Sequence, residues 1–82
     1  MSTIDDSWGA AGECMDPSGV VWSWGPAAAV GNRPAGTMFV SHSTGQLVYF
    51  PESLMTDARR NALVVILRER GIGDMMCVAN RW

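Results

Sequence analysis

Six consecutive apolar residues, ALVVIL at positions 62–67, lie in the middle of the best helix candidate of this 82-residue chain. A surface helix normally has one apolar stripe and one polar face, but these six residues cover every direction around the helix axis. Such a helix must be buried on more than one side. We therefore expect two covers, one from residues 20–24 and their neighbours and one from a partner, and the side chains expected to face that partner are Leu63, Val64 and Leu67.

The helix is predicted over residues of about 54–70. Ser53 and Thr56 are both candidate N-caps, and Asp57 follows where a carboxylate interacts favourably with the helix dipole. Gly71 is a natural terminating residue. The run VVIL is also typical of strands, but the caps and the total length favour a helix. The stripe predicted to face the sheet consists of Leu54, Met55, Ala58, Ala62, Val65 and Ile66.

Residues 20–24, VVWSW, are the clearest strand, because Val20, Trp22 and Trp24 fall on one face and Val21 and Ser23 on the other. The preceding sequence DPSG, residues 16–19, has the chemistry of a type I turn, so a short strand over 13–15 would complete a hairpin. Gly25 and Pro26 are predicted to end the strand.

A second hairpin is predicted from residues 37–42 and 47–50, with Gly45 in the left-handed position of a bulged turn. This turn pairs Val40 with Val48 and Met38 with Phe50. Both faces of the hairpin are then apolar, as in a sheet that is covered on both sides. Residues 75–79, MMCVA, are predicted to form a terminal strand.

These elements predict an α+β fold, in which one main helix (about 54–70) packs on a small antiparallel sheet of four to five strands. Residues 1–82 are expected to form a single domain. Within it, residues 1–36 are rich in Gly, Ala and Pro and contain the strand at 20–24, whereas residues 37–82 form the hairpin, helix and last strand.

Charge and hydropathy argue against nucleic-acid and membrane partners. The chain has no lysine, and six arginines against eight acidic residues leave a net charge of −2, which is too small for an electrostatic nucleic-acid footprint. No apolar run approaches the ~18 residues that span a bilayer. The N-terminal sequence lacks the basic and apolar regions of a secretory signal, so we expect a cytoplasmic protein with Cys14 and Cys77 as thiols. A Cys14–Cys77 disulfide is the alternative if their Cα atoms lie close together.

No catalytic or cofactor motif is present, and an enzyme is not expected. The soft metal ligands are Cys14, His42 and Cys77, and their spacing forms no local chelate. We therefore predict no cofactor and no metal, with a zinc-stabilised domain as one alternative. The second alternative is a nucleic-acid-associated protein that uses the helix arginines, Arg59, Arg60, Arg68 and Arg70.

Tryptophan is enriched at the centres of protein interfaces, and Trp8 and Trp82 near the chain termini are predicted interface residues. Trp22 and Trp24 are either core or interface. We expect a stand-alone protein-binding module, specifically a phage-type inhibitor or adaptor of a larger host protein machine. A homodimer, formed through the helix or the last strand, is the simplest source of the missing cover.

Overall fold

A computed structural model of the chain describes residues 12–82. Four strands, β1 (Gly12–Met15), β2 (Val21–Ala27), β3 (Gly36–Ser41) and β4 (Leu47–Pro51), form an antiparallel sheet in chain order. Two helices follow, α1 (Asp57–Arg70) and α2 (Ile72–Ala79). The predicted α+β class is confirmed, with four strands rather than five in this part of the chain.

The turn between β1 and β2 is organised by the carboxylate of Asp16. The Gly19 N–H donates to the Asp16 carbonyl at 3.0 Å, as the predicted turn requires. Asp16 Oδ1 accepts hydrogen bonds from the Ser18 N–H (3.0 Å), the Ser18 hydroxyl (2.7 Å) and the Val20 N–H (3.0 Å). Its Oδ2 accepts the indole N–H of buried Trp22 at 3.0 Å. Asp16 therefore ties the turn to the core.

These hydrogen bonds shift the titration of Asp16. The Ser18 hydroxyl is the largest cause that lowers the pKa of this carboxyl, followed by the Trp22 indole and the N–H groups of Val20 and Ser18. Burial acts in the opposite direction, but the net pKa lies below the usual value for aspartate. The ionised form is thus the one that the fold stabilises.

Strand β2 is longer than predicted, because Pro26 and Ala27 continue to pair with Thr37 and Gly36 of β3. The prediction that Gly25 and Pro26 end the strand is therefore wrong. The earlier part of β2 is as predicted. Trp22 and Trp24, which the sequence left as either core or interface residues, are both buried in the core.

The register of the second hairpin differs by one residue from the prediction. Val40 pairs with Leu47 and Phe39 with Val48, because the loop has four residues, 42–45, and closes with the Ser41 N–H donating to the Gln46 carbonyl at 2.9 Å. Gly45 has φ +76°, so it does supply the predicted left-handed position.

A one-residue slip moves side chains to the opposite face of a sheet. Phe39 therefore shares a face with Phe50, instead of Met38 as predicted. The Phe39 ring lies 6.0 Å from that of Trp24 and 5.9 Å from that of Phe50, the latter pair edge to face. These aromatic rings form the sheet's side of the core, against which the helices pack.

Helix α1 begins three residues later than predicted, with Thr56 as its N-cap accepting the Arg59 N–H through its side chain at 3.2 Å. The assignment of its faces is right for Met55, which is buried, and for Ile66, which packs on the core, but wrong for other residues. Ala58 and Val65 of the predicted core stripe are exposed, whereas Leu63, Val64 and Leu67 are almost fully buried against the sheet. Leu54, from the same stripe, precedes the helix and is also exposed.

Residues 75–79 form part of helix α2, so the predicted terminal strand is wrong. Gly71, with φ +102°, ends α1 and turns the chain directly into α2. Ile72, Met75, Met76 and Ala79 follow the i, i+3, i+4, i+7 spacing of one helix face. They pack on the core, where Met75 is fully buried. The second cover of the apolar helix α1 is therefore this chain's own α2.

Candidate functional site

The helices cover one face of the sheet, and the opposite face carries apolar side chains with no described helix over it. We call this opposite surface the outer face. By strand alternation and register it consists of Glu13, Met15, Val21, Ser23, Gly25, Ala27, Gly36, Met38, Val40, Leu47, Tyr49 and Pro51, of which Ala27 is buried. Met15 is 58% exposed and Leu47 is 53% exposed. Three of the large apolar side chains that are exposed in residues 12–82 lie on this face, namely Met15, Val21 and Leu47.

The centre of the outer face is an open depression of roughly 250 Å³. It lies where Gly25 has no side chain beside Met38, its cross-strand neighbour. The residues that line it are Ser23, Trp24, Gly25, Pro26, Met38, Val40 and His42. Most of this lining is apolar. The volume of the depression suits one or two side chains rather than a drug-sized ligand.

A polar cluster adjoins the depression. The Ser23 hydroxyl lies 3.2 Å from His42 Nε2 and 3.4 Å from Glu13 Oε2. Ser23 donates to Glu13, whereas the donor between Ser23 and His42 depends on the tautomer of the imidazole.

The β4 edge of the outer face is basic. The Arg33 guanidinium lies over the Tyr49 ring, 5.1 Å from its centroid, and donates to the Ala28 carbonyl at 3.1 Å. The Tyr49 hydroxyl donates to the Pro34 carbonyl. Glu13 lies on β1 at the opposite edge. The outer face therefore has an acidic edge, an apolar centre and a basic edge.

The helix arginines are mostly engaged within the chain. The Arg59 guanidinium lies over the Trp82 ring, 5.1 Å from its centroid, and donates to the Leu54 carbonyl. Arg60 forms a 2.8 Å ion pair with Asp57. A more distant pair joins Arg68 to Glu69 at 3.8 Å, and Arg70 is exposed. These arginines form separate local contacts and not one continuous basic surface.

The structure separates the residues that the sequence suggested for partner binding. Leu63, Val64 and Leu67 are in the core, so a partner that meets the folded chain cannot reach them. Trp82 is 40% exposed and lies against Arg59. Trp8 lies outside the described residues. Partner binding at Trp8 and Trp82 remains a prediction.

Sequence reasoning missed the outer face as a site, although one signal for it was available. The second hairpin is apolar on both faces, the pattern expected of a sheet that is covered on both sides. In residues 12–82 the helices cover only the core face. The excess apolar character of Met38, Val40 and Leu47 is therefore on the surface.

Cys14 and Cys77 are free thiols. Cys14 packs against the core, and burial is the largest cause that raises the pKa of its thiol, partly opposed by nearby Arg68. Cys77 is exposed on α2, and His42 lies beside the outer face. Within residues 12–82, no three His, Cys, Asp or Glu side chains come together as a metal site.

Comparison of the chain with protein-family models, with curated proteins and with solved structures finds no match. None of the helices in the described part of the chain is long and apolar enough to cross a bilayer.

Proposed function

We propose that this chain is a protein-binding module whose docking surface is the outer face of the sheet. The observation that carries the proposal is the exposure of apolar side chains on one face of an antiparallel sheet, where polar residues normally meet water. Contiguous apolar surface of this kind is typical of protein interaction sites. Covering Met15, Val21 and Leu47 would remove their exposed apolar surface from water, which favours association.

The chemistry of the face favours a protein partner over a nucleic acid. Its central side chains are aliphatic or thioether groups, and the flexible Met15 and Met38 adapt to an opposing surface. Its basic group is Arg33, at the rim. A nucleic-acid interface needs several cations along a backbone track, and the helix arginines are dispersed. The zinc alternative gains no support from the placement of Cys14, His42 and Cys77.

Binding by surface burial is how inhibitors and adaptors act, and this role toward a larger protein machine is part of the proposal. The depression beside Gly25 would receive one side chain of the partner. The polar cluster next to it would fix orientation, because hydrogen bonds at the edge of an apolar contact select among otherwise similar partners.

The test is site-specific photocrosslinking in cells that produce the full chain. A photoreactive benzoylphenylalanine replaces Leu47 on the outer face or, as the matched control, Val65 on the exposed side of α1. We expect a discrete protein adduct from position 47 and none from position 65. Adducts of equal yield from both positions, or none from position 47, would contradict the proposal.

A further inference from the structure

We infer that the occupant of the outer face is a second copy of this chain, packed face to face about a twofold axis parallel to the strands. This inference rests on the proposed function, since it assigns a partner to the same surface. Two sheets that pack in this way lie about 10 Å apart with their strands roughly 30° from parallel. The strand order and register determine which residues then meet.

A twofold axis parallel to the strands, between β2 and β3, places β2 of one copy opposite β3 of the other and β1 opposite β4. At the centre, Gly25 of one copy faces Met38 of the second copy, because these residues occupy the same row of the sheet. The depression over Gly25 is the place where a long, flexible Met38 side chain can insert. The twofold symmetry makes this contact twice.

Charge selects this axis. Glu13 lies at the β1 edge and Arg33 at the β4 edge, so the axis parallel to the strands brings each charge toward the opposite charge of the second copy. A twofold axis perpendicular to the strands would instead place β1 against β1, with both Glu13 carboxylates on the same side. Like charges across an interface disfavour that arrangement. Of these two arrangements, only the axis parallel to the strands brings opposite charges toward each other, with Glu13 facing Leu47 of the second copy, one row from the Tyr49 ring over which Arg33 lies.

The size of the face indicates a weak, concentration-dependent dimer. Four strands about 4.8 Å apart, each contributing about 15 Å of length, give a flat area of roughly 300 Å² per copy, well below the ~800 Å² per partner of a standard stable interface. The measurement must therefore extend to high protein concentration.

The experiment is sedimentation velocity of the full chain from micromolar to millimolar concentration. We expect the average mass to rise from 8.9 kDa toward twice that value. Met38→Glu should abolish the rise, because it places a charge at the centre of the face. Val65→Glu, on the exposed side of α1, should leave it unchanged. Circular dichroism verifies that each variant is folded.

Charge reversal tests the axis. Glu13→Arg should weaken dimerisation at low salt, and adding Arg33→Glu to the same chain should restore it. Because Arg33 also contacts Tyr49 and Ala28, a second measurement does not depend on that substitution. Ser23 of one copy faces Val40 of the second copy, because these residues occupy the same row. Chains carrying Val40→Cys are mixed with chains carrying Ser23→Cys, and oxidation should yield more of the mixed disulfide dimer than either variant yields alone.

Each result decides between occupants. A chain that remains at 8.9 kDa at millimolar concentration overturns the inference, as does a dimer that is insensitive to Met38→Glu. The proposed axis is overturned if wild type dimerises but Arg33→Glu does not restore dimerisation to Glu13→Arg and the mixed disulfide dimer is not preferred. In the photocrosslinking test, an adduct of twice the chain mass supports a second copy. An adduct with a different protein, or an internal crosslink to residues 1–11, overturns the second copy; the different protein would still support the proposed function.

Discussion

The carboxylate of Asp16 offers a direct test of the fold, because its Oδ2 atom accepts a hydrogen bond from the buried indole N–H of Trp22. In Asp16→Asn, the amide oxygen can still accept the N–H groups of Ser18 and Val20, but an NH₂ group then faces the Trp22 Nε1–H at 3.0 Å. The variant's amide NH₂ and the Trp22 indole N–H are both donors, so the hydrogen bond between these two side chains is lost. Rotating the amide only moves the conflict to the other donors.

The expected cost follows from the bonds that are lost. A hydrogen bond to a charged group contributes about 1.5–3 kcal/mol, and a buried donor left unpaired costs about 1–3 kcal/mol. These contributions overlap, so we expect Asp16→Asn to lower the free energy of unfolding by about 2–4 kcal/mol. A chain of this length has a total stability of roughly 4–12 kcal/mol, and the midpoint temperature should fall by about 10–25 °C.

The pH dependence gives an independent measurement. Because the pKa of Asp16 is lower in the folded chain, its contribution is present above the unfolded pKa of about 3.9 and is lost as pH falls through the folded pKa. Wild type should therefore lose stability over that acid range, and Asp16→Asn should lose less. Urea unfolding from pH 2 to 7, followed by circular dichroism, measures both quantities.

Asp74→Asn is the matched control, since Asp74 is an exposed carboxyl in the first turn of α2. It should cost less than about 1 kcal/mol, the usual limit for an exposed charge near a helix terminus. In a Trp22→Phe background, Asp16→Asn should cost less than in wild type, because the indole N–H is absent. This reasoning would be refuted if Asp16→Asn changed the free energy of unfolding by less than about 0.5 kcal/mol. It would also be refuted if the variant lost as much stability at acid pH as wild type.

Two further pairs of substitutions test the packing. Leu67→Ala should lower the free energy of unfolding by about 2–5 kcal/mol in urea, whereas Val65→Ala on the same helix should change it by no more than about 0.5 kcal/mol; equal effects would contradict the assignment of the helix faces. At Gly36 a Cβ would lie 2.0 Å from the Phe50 carbonyl oxygen, so Gly36→Ala should cost about 3 kcal/mol or more. Gly73→Ala meets no atom within 4 Å in α2 and should instead raise stability by about 0.5–1 kcal/mol; a destabilised Gly73→Ala would be inconsistent with that helix.

Elements with strong local chemistry were predictable from the sequence. The turn at residues 16–19, the alternating strand that follows it and the Thr56 and Gly71 boundaries of α1 all depend on hydrogen bonds or backbone angles within a few residues. The same holds for the left-handed Gly45. These interactions favour one local conformation whatever the rest of the chain does, so a pattern in the sequence is sufficient to find them.

The errors have a common cause, which is that several arrangements bury the same apolar residues. Residues 75–79 are apolar enough for a buried strand or a buried helix, and the short connection at Gly71 allows a helix that packs back on α1. The hairpin register depended on whether its loop has three or four residues, and one residue reverses the faces. The candidate site depends directly on that register, because Met38 and Val40 belong to the outer face only in the observed pairing.

By itself, the sequence determined the α+β class, the main strands and turns and the presence of more apolar surface than one helix and one sheet face can bury. It could not determine where the excess lies. Only the tertiary structure decided that α2 covers the second side of α1 and that the remaining apolar surface is on the sheet. The physical reason is that hydrophobic burial is non-directional, so any contact that excludes water is favourable. The sequence therefore specifies how much apolar surface must be covered, and the packing of the whole chain decides which face stays exposed.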